Sequence, residues 1–357
     1  MRCETVLERT RSQAKELLQA AMRTLVVSMC LFLPLHRHSD APLISRILAE
    51  VNGPLLIAAV RSGASDEVLL AISPGRDPHV LIPHLPLGTG IGASPRGRYI
   101  ALAEGRQGLW LSKSDGTGLS RRLLPPLPTQ QLYPLAIKAV AWSPDRYTLA
   151  YVVGEDISSA KGPGQPGFAS DTHVGVWVVR YDGGTPRQVA HGDFGRAGTP
   201  AASLSWSSEG RTIVAVGHAG VTAIDAATGR ARVLAAQDTS DGSVQVAAAT
   251  STTAAVCYIR LLVGSQAIAY TLYVADADGR HARRLLQISN TITSPAWAPD
   301  GRSIAYLWQH GPTEGGYRSP VEIHAVDVAS GRTRVLLGPR ASNHGAIQSF
   351  TWLPIRS

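Results

Sequence analysis

The fold is decided by one stretch that occurs three times: Trp142-SPDRYTLAY-Val152, Trp206-SSEGRTIVA-Val216 and Trp297-APDGRSIAY-Leu307. Looser copies begin at Ala93 and Ala249, and Trp352 begins another at the end of the chain. The copies start 43 to 64 residues apart, which is the period of a β-propeller blade with variable loops. In each copy a short apolar run predicts one strand, Pro-Asp-Gly predicts a tight turn, and the apolar run that follows predicts a second strand.

A second phrase follows the first in each period. It combines a strand, a short turn rich in Asp and Gly, and another strand, which is typical of a β-hairpin. Its copies are Leu109-WLSKSDGTGLSRRLL, Val176-WVVRYDGGTPRQVA, Val221-TAIDAATGRARVLA, Leu272-YVADADGRHARRLL and Ile323-HAVDVASGRTRVLL. Two hairpins per period give four strands, and therefore one blade.

The two ends of the body complement each other. Residues 54–60, 67–72 and 79–82 predict three strands without an innermost one, and the stretch from Trp352 predicts a strand without the rest of a blade. We therefore expect an all-β, six-bladed β-propeller of four-stranded antiparallel blades, preceded by a short leader. Its first blade is closed by strands from both termini, which removes the last open sheet edge.

The Trp-Ser/Ala-Pro-Asp-Gly phrase resembles the WD40-like (PD40) repeat of TolB-type propellers, which also occurs in the propellers of dipeptidyl-peptidase-like and tricorn-like proteases. The resemblance covers residues 53–357 and implies a binding or scaffold propeller. The chain departs from these families, because neither the α/β domain of TolB nor a Gly-x-Ser-x-Gly elbow of the proteases is found in it. Blade 5 has also lost its tryptophan and its Pro-Asp-Gly turn. The resemblance therefore predicts the fold better than the function.

The first fifty residues differ from the rest of the 357. We interpret 1–41 as a signal peptide or membrane tether, 42–52 as a linker and 53–357 as the propeller. The apolar run 25–35 is too short to span a bilayer but suits a signal-peptide core, with Ser39-Asp40-Ala41 as a cleavage site and Met22 as an alternative start. An amphipathic helix packed on the body is the alternative interpretation. The leader favours a bacterial periplasmic, secreted or membrane-tethered protein, with a cytoplasmic location as the alternative.

Charge and cysteines add little about function. The chain has 34 Lys and Arg against 26 Asp and Glu, for a net charge of +8, and nearly all of the excess is arginine. Seven of these arginines recur in the outermost strands: Arg121, Arg122, Arg187, Arg232, Arg283, Arg284 and Arg334. They predict either protection of exposed sheet edges or docking of an anionic partner, and we favour edge protection because no aromatic stacking partners are interleaved with them. We do not expect a nucleic-acid partner. Cys257, the only cysteine of the propeller, is predicted to be a buried thiol.

Loop lengths point to one face for binding. Segments 154–173 and 309–320 join second to third strands, and the long connections between blades emerge on the same side. Long loops on a rigid scaffold are the usual place for a binding site, and we favour binding here because these loops share one face; tolerated surface insertion is the alternative. The candidate binding residues in these segments are Glu155, Asp156, His173, His310, Glu314, Tyr317, Arg318 and His344, with Asp171, His191 and Asp193 beside them.

The repeated residues predict structural roles. We expect Asp145, Asp300, Asp115, Asp182 and Asp278 to cap turns, since they recur at the same places in several blades. Trp142, Trp206, Trp297 and Trp352 are expected to pack in the core or along the channel.

We therefore expect a monomeric, non-enzymatic propeller without catalytic residues, cofactor or metal, which binds a protein or another envelope component through its long-loop face. The leader could add peripheral membrane association. One alternative is a propeller enzyme, a lyase or hydrolase acting on a sugar or lactone with a metal in the channel. The other is a cytoplasmic interaction scaffold.

Overall fold

The structure is a computed structural model that describes residues 55–61, 66–72, 78–86, 90–106, 108–114, 121–124, 135–155, 174–192, 194, 204–217, 219–236, 244–249, 255–263, 268–309, 321–338 and 346–353. The predicted leader and linker lie outside these residues. The described secondary structure consists of strands, which form six four-stranded antiparallel sheets. We call each sheet a blade.

The blades contain the following strands, given from the innermost to the outermost. Blade 1 has β24 (Ala346–Leu353), β1 (Leu55–Arg61), β2 (Asp66–Ile72) and β3 (His79–Pro86). Blade 2 has β4 (Gly90–Ala93), β5 (Tyr99–Ala103), β6 (Leu109–Lys113) and β7 (Arg121–Leu124). Blade 3 has β8 (Leu135–Trp142), β9 (Thr148–Glu155), β10 (Gly175–Arg180) and β11 (Arg187–His191). Blade 4 has β12 (Leu204–Trp206), β13 (Thr212–Gly217), β14 (Gly220–Asp225) and β15 (Ala231–Ala236). Blade 5 has β16 (Val244–Ala249), β17 (Ala255–Val263), β18 (Ile268–Asp276) and β19 (Arg283–Ile288). Blade 6 has β20 (Thr291–Trp297), β21 (Ser303–Gln309), β22 (Val321–Asp327) and β23 (Thr333–Leu337).

The predicted closure by both termini is confirmed. Strand β24, near the end of the chain, pairs antiparallel with β1 near its start, with Leu56 opposite Trp352 and Ala58 opposite Phe350. Each innermost strand contacts those of the neighbouring blades, and the series returns from β24 to β4. The six blades therefore form a closed ring, and blade 1 contains strands from both ends of the chain.

Burial follows the position of a strand within its blade. In β13 and β21 four consecutive residues are buried, because both faces of a middle strand are covered by neighbouring blades. The outermost strands β15 and β23 are largely exposed. Middle strands therefore read as continuous apolar runs and not as an alternation of apolar and polar residues. Cys257 is buried and free in β17, as predicted.

The turn after the first strand is the same in blades 2, 3, 4 and 6. In blade 6 the Ala298 N–H donates to the Ser303 carbonyl, and the Gly301 N–H donates to Ala298. The fourth residue of this turn, at the position of Gly301, has a positive φ, which glycine adopts without steric cost. Three copies have glycine there, but blade 3 has Arg146 at a φ of 72°.

Tryptophans link the innermost strands of neighbouring blades. The indole N–H of Trp206 donates to the Ala141 carbonyl of the preceding blade at 3.2 Å. Trp142 and Trp352 make the equivalent bonds to Gly92 and Ala296. The indole nitrogen of Trp297 is buried without a hydrogen-bond partner, and the blade before it has Ala249 in place of tryptophan.

Arginines link the outer parts of the blades. In four blades the guanidinium of the first or second outermost-strand residue donates to a backbone carbonyl in the outer hairpin of the next blade. The pairs are Arg121 with Tyr181 and Asp182, Arg187 with Ala226, Arg232 with Asp278 and Arg283 with Val328. Arg122 also lies over the ring of Trp110, 4.5 Å from its centroid. The expectation that these arginines have no aromatic partner is therefore wrong at this blade, and four of them join blades, a role that was not predicted.

Candidate functional site

The long-loop face is defined by the topology. We use this name for the end of the propeller where second strands connect to third strands and where each blade leads into the next. Because neighbouring strands are antiparallel, all of these connections leave from the same end. Residues 156–173 connect β9 to β10, and 310–320 connect β21 to β22, so the strand ends that bound both segments lie on this face. The opposite end, which carries the turns within hairpins, is the short-turn face.

Two of the predicted loop residues lie at described strand ends. Glu155 is the last residue of β9, and its backbone is paired with Leu135. His191 is the last residue of β11, paired with Gly175, and its side chain is exposed. The other predicted residues lie outside the described part of the chain: Asp156, Asp171, His173, Asp193, His310, Glu314, Tyr317, Arg318 and His344.

A buried carboxylate–imidazole pair lies at the start of β22, directly after segment 310–320. Glu322 and His324 alternate along β22, so both side chains are on the same face of the blade. The Glu322 Oε2 atom is 2.6 Å from His324 Nε2, and the two side chains are only 9% and 16% exposed. A carboxylate buried to this extent requires a partner, and the imidazole provides one.

Aromatic rings surround this pair. The His324 ring lies 4.9 Å from Trp308 and 5.8 Å from Tyr306, measured between centroids. The register of β21 and β22 places Tyr306 opposite His324, and Trp308 opposite Glu322. Burial raises the pKa of Tyr306 to about 12, so this phenol remains neutral at physiological pH. The aromatic neighbours hold the imidazole in place and restrict the access of water to its bond with Glu322.

Two further carboxyl groups lie at the long-loop ends of blades 1 and 2. Blade 1 adjoins blade 6 in the ring, and blade 2 follows blade 1. Glu67 follows the connection from β1 to β2 and is 1% exposed. Glu104 follows β5 and is half-buried. Burial raises the pKa of Glu104 because it disfavours the charged form, and the nearby Arg122 partly opposes this effect. Three adjacent blades thus place carboxyl groups beneath the same face.

The chemistry that this arrangement offers centres on the Glu322–His324 pair. A Glu–His pair can exchange a proton, but nucleophilic or metal-assisted catalysis needs a further reactive group or ligand. Among the described residues there is no group of three or more His, Cys, Asp or Glu that could hold a metal ion. The pair was not predicted from the sequence, although Glu-x-His in a predicted strand places both side chains on one face. What the sequence did not reveal was their burial.

The repeated aspartates bond to their own turns. Asp145 accepts hydrogen bonds from the Tyr147 N–H and from the N–H and hydroxyl of Thr148. Burial opposes ionisation of Asp145, but these bonds outweigh it and lower its pKa. Asp300 accepts from the Arg302 N–H, and Asp278 from the Arg280 N–H. Asp182 forms an exposed ion pair with Arg180, and Asp115 lies outside the described residues.

Asp225 and Asp327 serve the outer hairpins of blades 4 and 6 in a similar way. The Thr228 hydroxyl and N–H lower the pKa of Asp225, and the Ser330 hydroxyl and N–H lower that of Asp327. All of these carboxylates lie at the short-turn face.

In the described part of the chain, no helix is long and apolar enough to cross a membrane.

Comparison with known proteins supports the propeller. No family model matches the chain. The Tol-Pal system protein TolB of Polaromonas naphthalenivorans is 43% identical over 74 residues, which are 21% of this chain and 16% of that protein. TolB of Hahella chejuensis is 46% identical over 52 residues, 15% of this chain and 12% of that protein. The chain thus matches a small part of each of these relatives.

Solved structures match over a larger part of the chain. The crystal structure of TolB from Acinetobacter baumannii superimposes with a TM-score of 0.58 at 14% identity, covering 90% of this chain and 74% of that one. A chain of the nidogen/laminin complex gives a TM-score of 0.59 at 9% identity, covering 85% and 100%. At such identities these structures show the fold alone. Together with the local sequence matches, they make this chain a TolB-like β-propeller.

Proposed function

We propose that the chain is a non-enzymatic binding propeller that holds a protein or another cell-envelope component on its long-loop face. The observation that carries this proposal is the coincidence of three features at one end of a closed ring. These are the long segments 156–173 and 310–320, the buried Glu322–His324 pair, and the carboxyl groups of Glu67 and Glu104.

The ring provides the rigidity that such a site needs. Each blade is fixed to its neighbours by packing, and several are also joined by indole and guanidinium hydrogen bonds to backbone carbonyls. Strand ends on this scaffold keep their positions while the connecting segments vary, so that binding segments can differ without loss of the fold. The tightly packed aromatic surroundings of His324 extend this rigidity to the root of segment 310–320.

The relatives support an envelope setting. The matching proteins are named as components of the Tol-Pal system, and the leader predicted at 1–41 would take this chain out of the cytoplasm. We therefore propose an extracytoplasmic location and a partner in the cell envelope.

The test is affinity capture on the full-length chain from an envelope extract of its source organism, with chemical crosslinking. The loop variant has Gly/Ser replacements of 157–172 and 311–319, which leave the described strands intact. The matched control replaces 115–120, a connection on the short-turn face of blade 2. We expect one protein or envelope component to be retained by the unaltered chain and by the control, but not by the loop variant.

Equal capture by all three forms would refute the long-loop face as the binding surface. Metal analysis of the purified chain tests the enzyme alternative separately. Stoichiometric manganese, calcium or zinc, lost together with hydrolysis or elimination of a sugar or lactone on chelation, would replace the binding proposal with the enzymatic one.

A further inference from the structure

A cleft opens between blades 4 and 5 at the short-turn face, the end of the propeller opposite the proposed binding face. It has a volume of about 330 Å³. Buried apolar side chains of both blades contribute to its wall, namely Val214, Ala223 and Val256. Its polar lining includes Ser207, Glu209, Thr212, Asp225 and Arg232, and Ala277 also lines it. The cleft therefore combines an apolar wall with hydroxyl and charged groups.

The position of the cleft follows from the strand register. Trp142, Trp206 and Trp297 are paired with Leu149, Ile213 and Ile304 on the second strand of their blades. In blade 5 the residue in this register position is Ala249, opposite Val256. The tryptophan that packs against the preceding blade elsewhere is thus replaced by alanine at the junction where the cleft lies.

The junction of blades 2 and 3 shows what occupies this space when the aromatic residues are present. There Trp142 lies between Tyr99 of blade 2 and Tyr181 of blade 3, with ring centroids 6.5 and 6.0 Å away. Tyr147 extends the same cluster, 6.1 Å from Tyr181. The indole N–H of Trp142 donates to the Gly92 carbonyl.

At the junction of blades 4 and 5 the corresponding positions hold small residues. Thr212 occupies the place of Tyr99, the first residue of the second strand, and Ala277 that of Tyr181, the first residue of the outer hairpin turn. With Ala249, the three positions that are aromatic at the junction of blades 2 and 3 are therefore all small at this junction. The Ala93 position of blade 2 lacks tryptophan too, but there Ala93 packs in a cluster that contains Leu69, Ile100 and Trp110.

We propose that the cleft between blades 4 and 5 binds an aromatic side chain, tryptophan above all, presented by a segment of a partner protein. A ring inserted between the two sheets would take the place that Trp142 has at the junction of blades 2 and 3. The apolar wall fits the ring faces, and the hydroxyl and carboxylate groups of Ser207, Thr212 and Glu209 are acceptors for an indole N–H or a phenol O–H. The volume is at the lower end of the range for ligand pockets, so it suits one ring system and its attachment.

The first measurement is saturation-transfer NMR of the full-length chain with N-acetyltryptophanamide, a tryptophan side chain flanked by peptide groups. We expect binding with a Kd on the order of 1 mM, typical of a ligand of this size. N-acetylleucinamide should bind about 10-fold more weakly, as expected for a loss of about 1.4 kcal/mol.

Two variants, called the filling variants, introduce an aromatic residue at the junction of blades 4 and 5. Ala249→Trp restores the residue of the repeat, and Ala277→Tyr introduces the tyrosine that blade 3 has at this position. The matched control is Ala329→Tyr, at an exposed alanine in the outer hairpin of blade 6. We expect each filling variant to lose at least about 10-fold in affinity for the tryptophan probe, while the control binds like the unaltered chain.

Circular dichroism and thermal melting identify any variant that fails to fold. If Ala249→Trp does not fold, Ala277→Tyr alone decides, because it substitutes an exposed hairpin residue. Two results would overturn the proposal: equal binding of the tryptophan and leucine probes by the unaltered chain, or undiminished binding of the tryptophan probe by the folded filling variants. Neither result would affect the proposed function, which concerns the opposite face.

Discussion

The indole hydrogen bonds between blades lead to a prediction that compares two equivalent tryptophans. Trp206 donates its indole N–H to the Ala141 carbonyl at 3.2 Å, whereas the indole nitrogen of Trp297 is buried without a partner. The two residues are similarly buried, at 5% and 8% exposure, and each ends the innermost strand of its blade. Substitution of each by phenylalanine removes the N–H and part of the ring in both cases. The difference between the two variants therefore isolates the hydrogen bond.

The magnitudes follow from two contributions. The smaller ring loses apolar burial of about 1 kcal/mol in either variant. Trp206→Phe also loses a hydrogen bond worth about 1 kcal/mol and leaves the Ala141 carbonyl without this donor, for a total of about 2 kcal/mol. Trp297→Phe removes an unsatisfied buried N–H group, whose cost of about 1 kcal/mol offsets the lost burial, so its stability should change by less than about 0.5 kcal/mol.

The assay is urea denaturation of the full-length chain and both variants, followed by far-UV circular dichroism because the substitutions alter tryptophan fluorescence. We expect the midpoint for Trp206→Phe to fall clearly below that of Trp297→Phe, with equal slopes. Equal midpoints for the two variants would refute the role assigned to the indole bond. A lower midpoint for Trp297→Phe would also contradict this account, because the Trp297 indole has no hydrogen bond to lose.

Three further predictions concern the turns and the closure of the ring. Arg146→Gly should raise the free energy of unfolding by about 1 kcal/mol, because a residue with φ of 72° is strained unless it is glycine. Gly210→Ala at the equivalent turn of blade 4 should lower the free energy of unfolding. A melting temperature that falls for Arg146→Gly would contradict this account. Asp145 has a lowered pKa in the folded chain, so its contribution to stability is present above the unfolded pKa of about 4 and is lost as pH falls through the folded value. Asp145→Asn should therefore reduce the acid-induced loss of stability, measured by urea midpoints between pH 7 and pH 3. An unchanged pH profile in this variant would contradict the role assigned to Asp145. Deletion of 346–357 removes β24 and exposes the edge of β1, so we expect a lower melting temperature and concentration-dependent association; an unchanged, monomeric protein would disprove the closure.

The repeat made most of the fold predictable from the sequence. Two phrases recurring in the same order are enough to define four strands, and the incomplete blades at the two ends of the body are most simply completed by each other. The observed pairing of Leu56 with Trp352 is this closure. Turn-capping bonds of Asp145 and Asp300 could also be anticipated, because local hydrogen bonds depend on neighbours in the sequence.

Contacts between blades could not be anticipated in the same way. The acceptors for Arg187 and Arg232 are backbone carbonyls in the next blade, and a backbone carbonyl leaves no mark on the sequence. The Glu322–His324 pair was missed for another reason. The i, i+2 spacing is common on exposed strands, and only the covering by Tyr306 and Trp308 makes this pair buried.

The cleft between blades 4 and 5 lies between these two cases. The loss of tryptophan at Ala249 can be read from the repeat, but a single small residue is usually compensated by its neighbours, as around Ala93. A cleft remains because Thr212 and Ala277, on either side of the junction, are small as well. Such clefts could be found in other propellers by comparing each repeat position with the residues that face it in the neighbouring blade, and not only with the same position in other repeats. In this chain the cleft lies on the short-turn face, where one junction deviates from the repeat. The proposed partner surface lies on the long-loop face, where the connecting segments differ from blade to blade. The two proposed binding surfaces can therefore be tested independently.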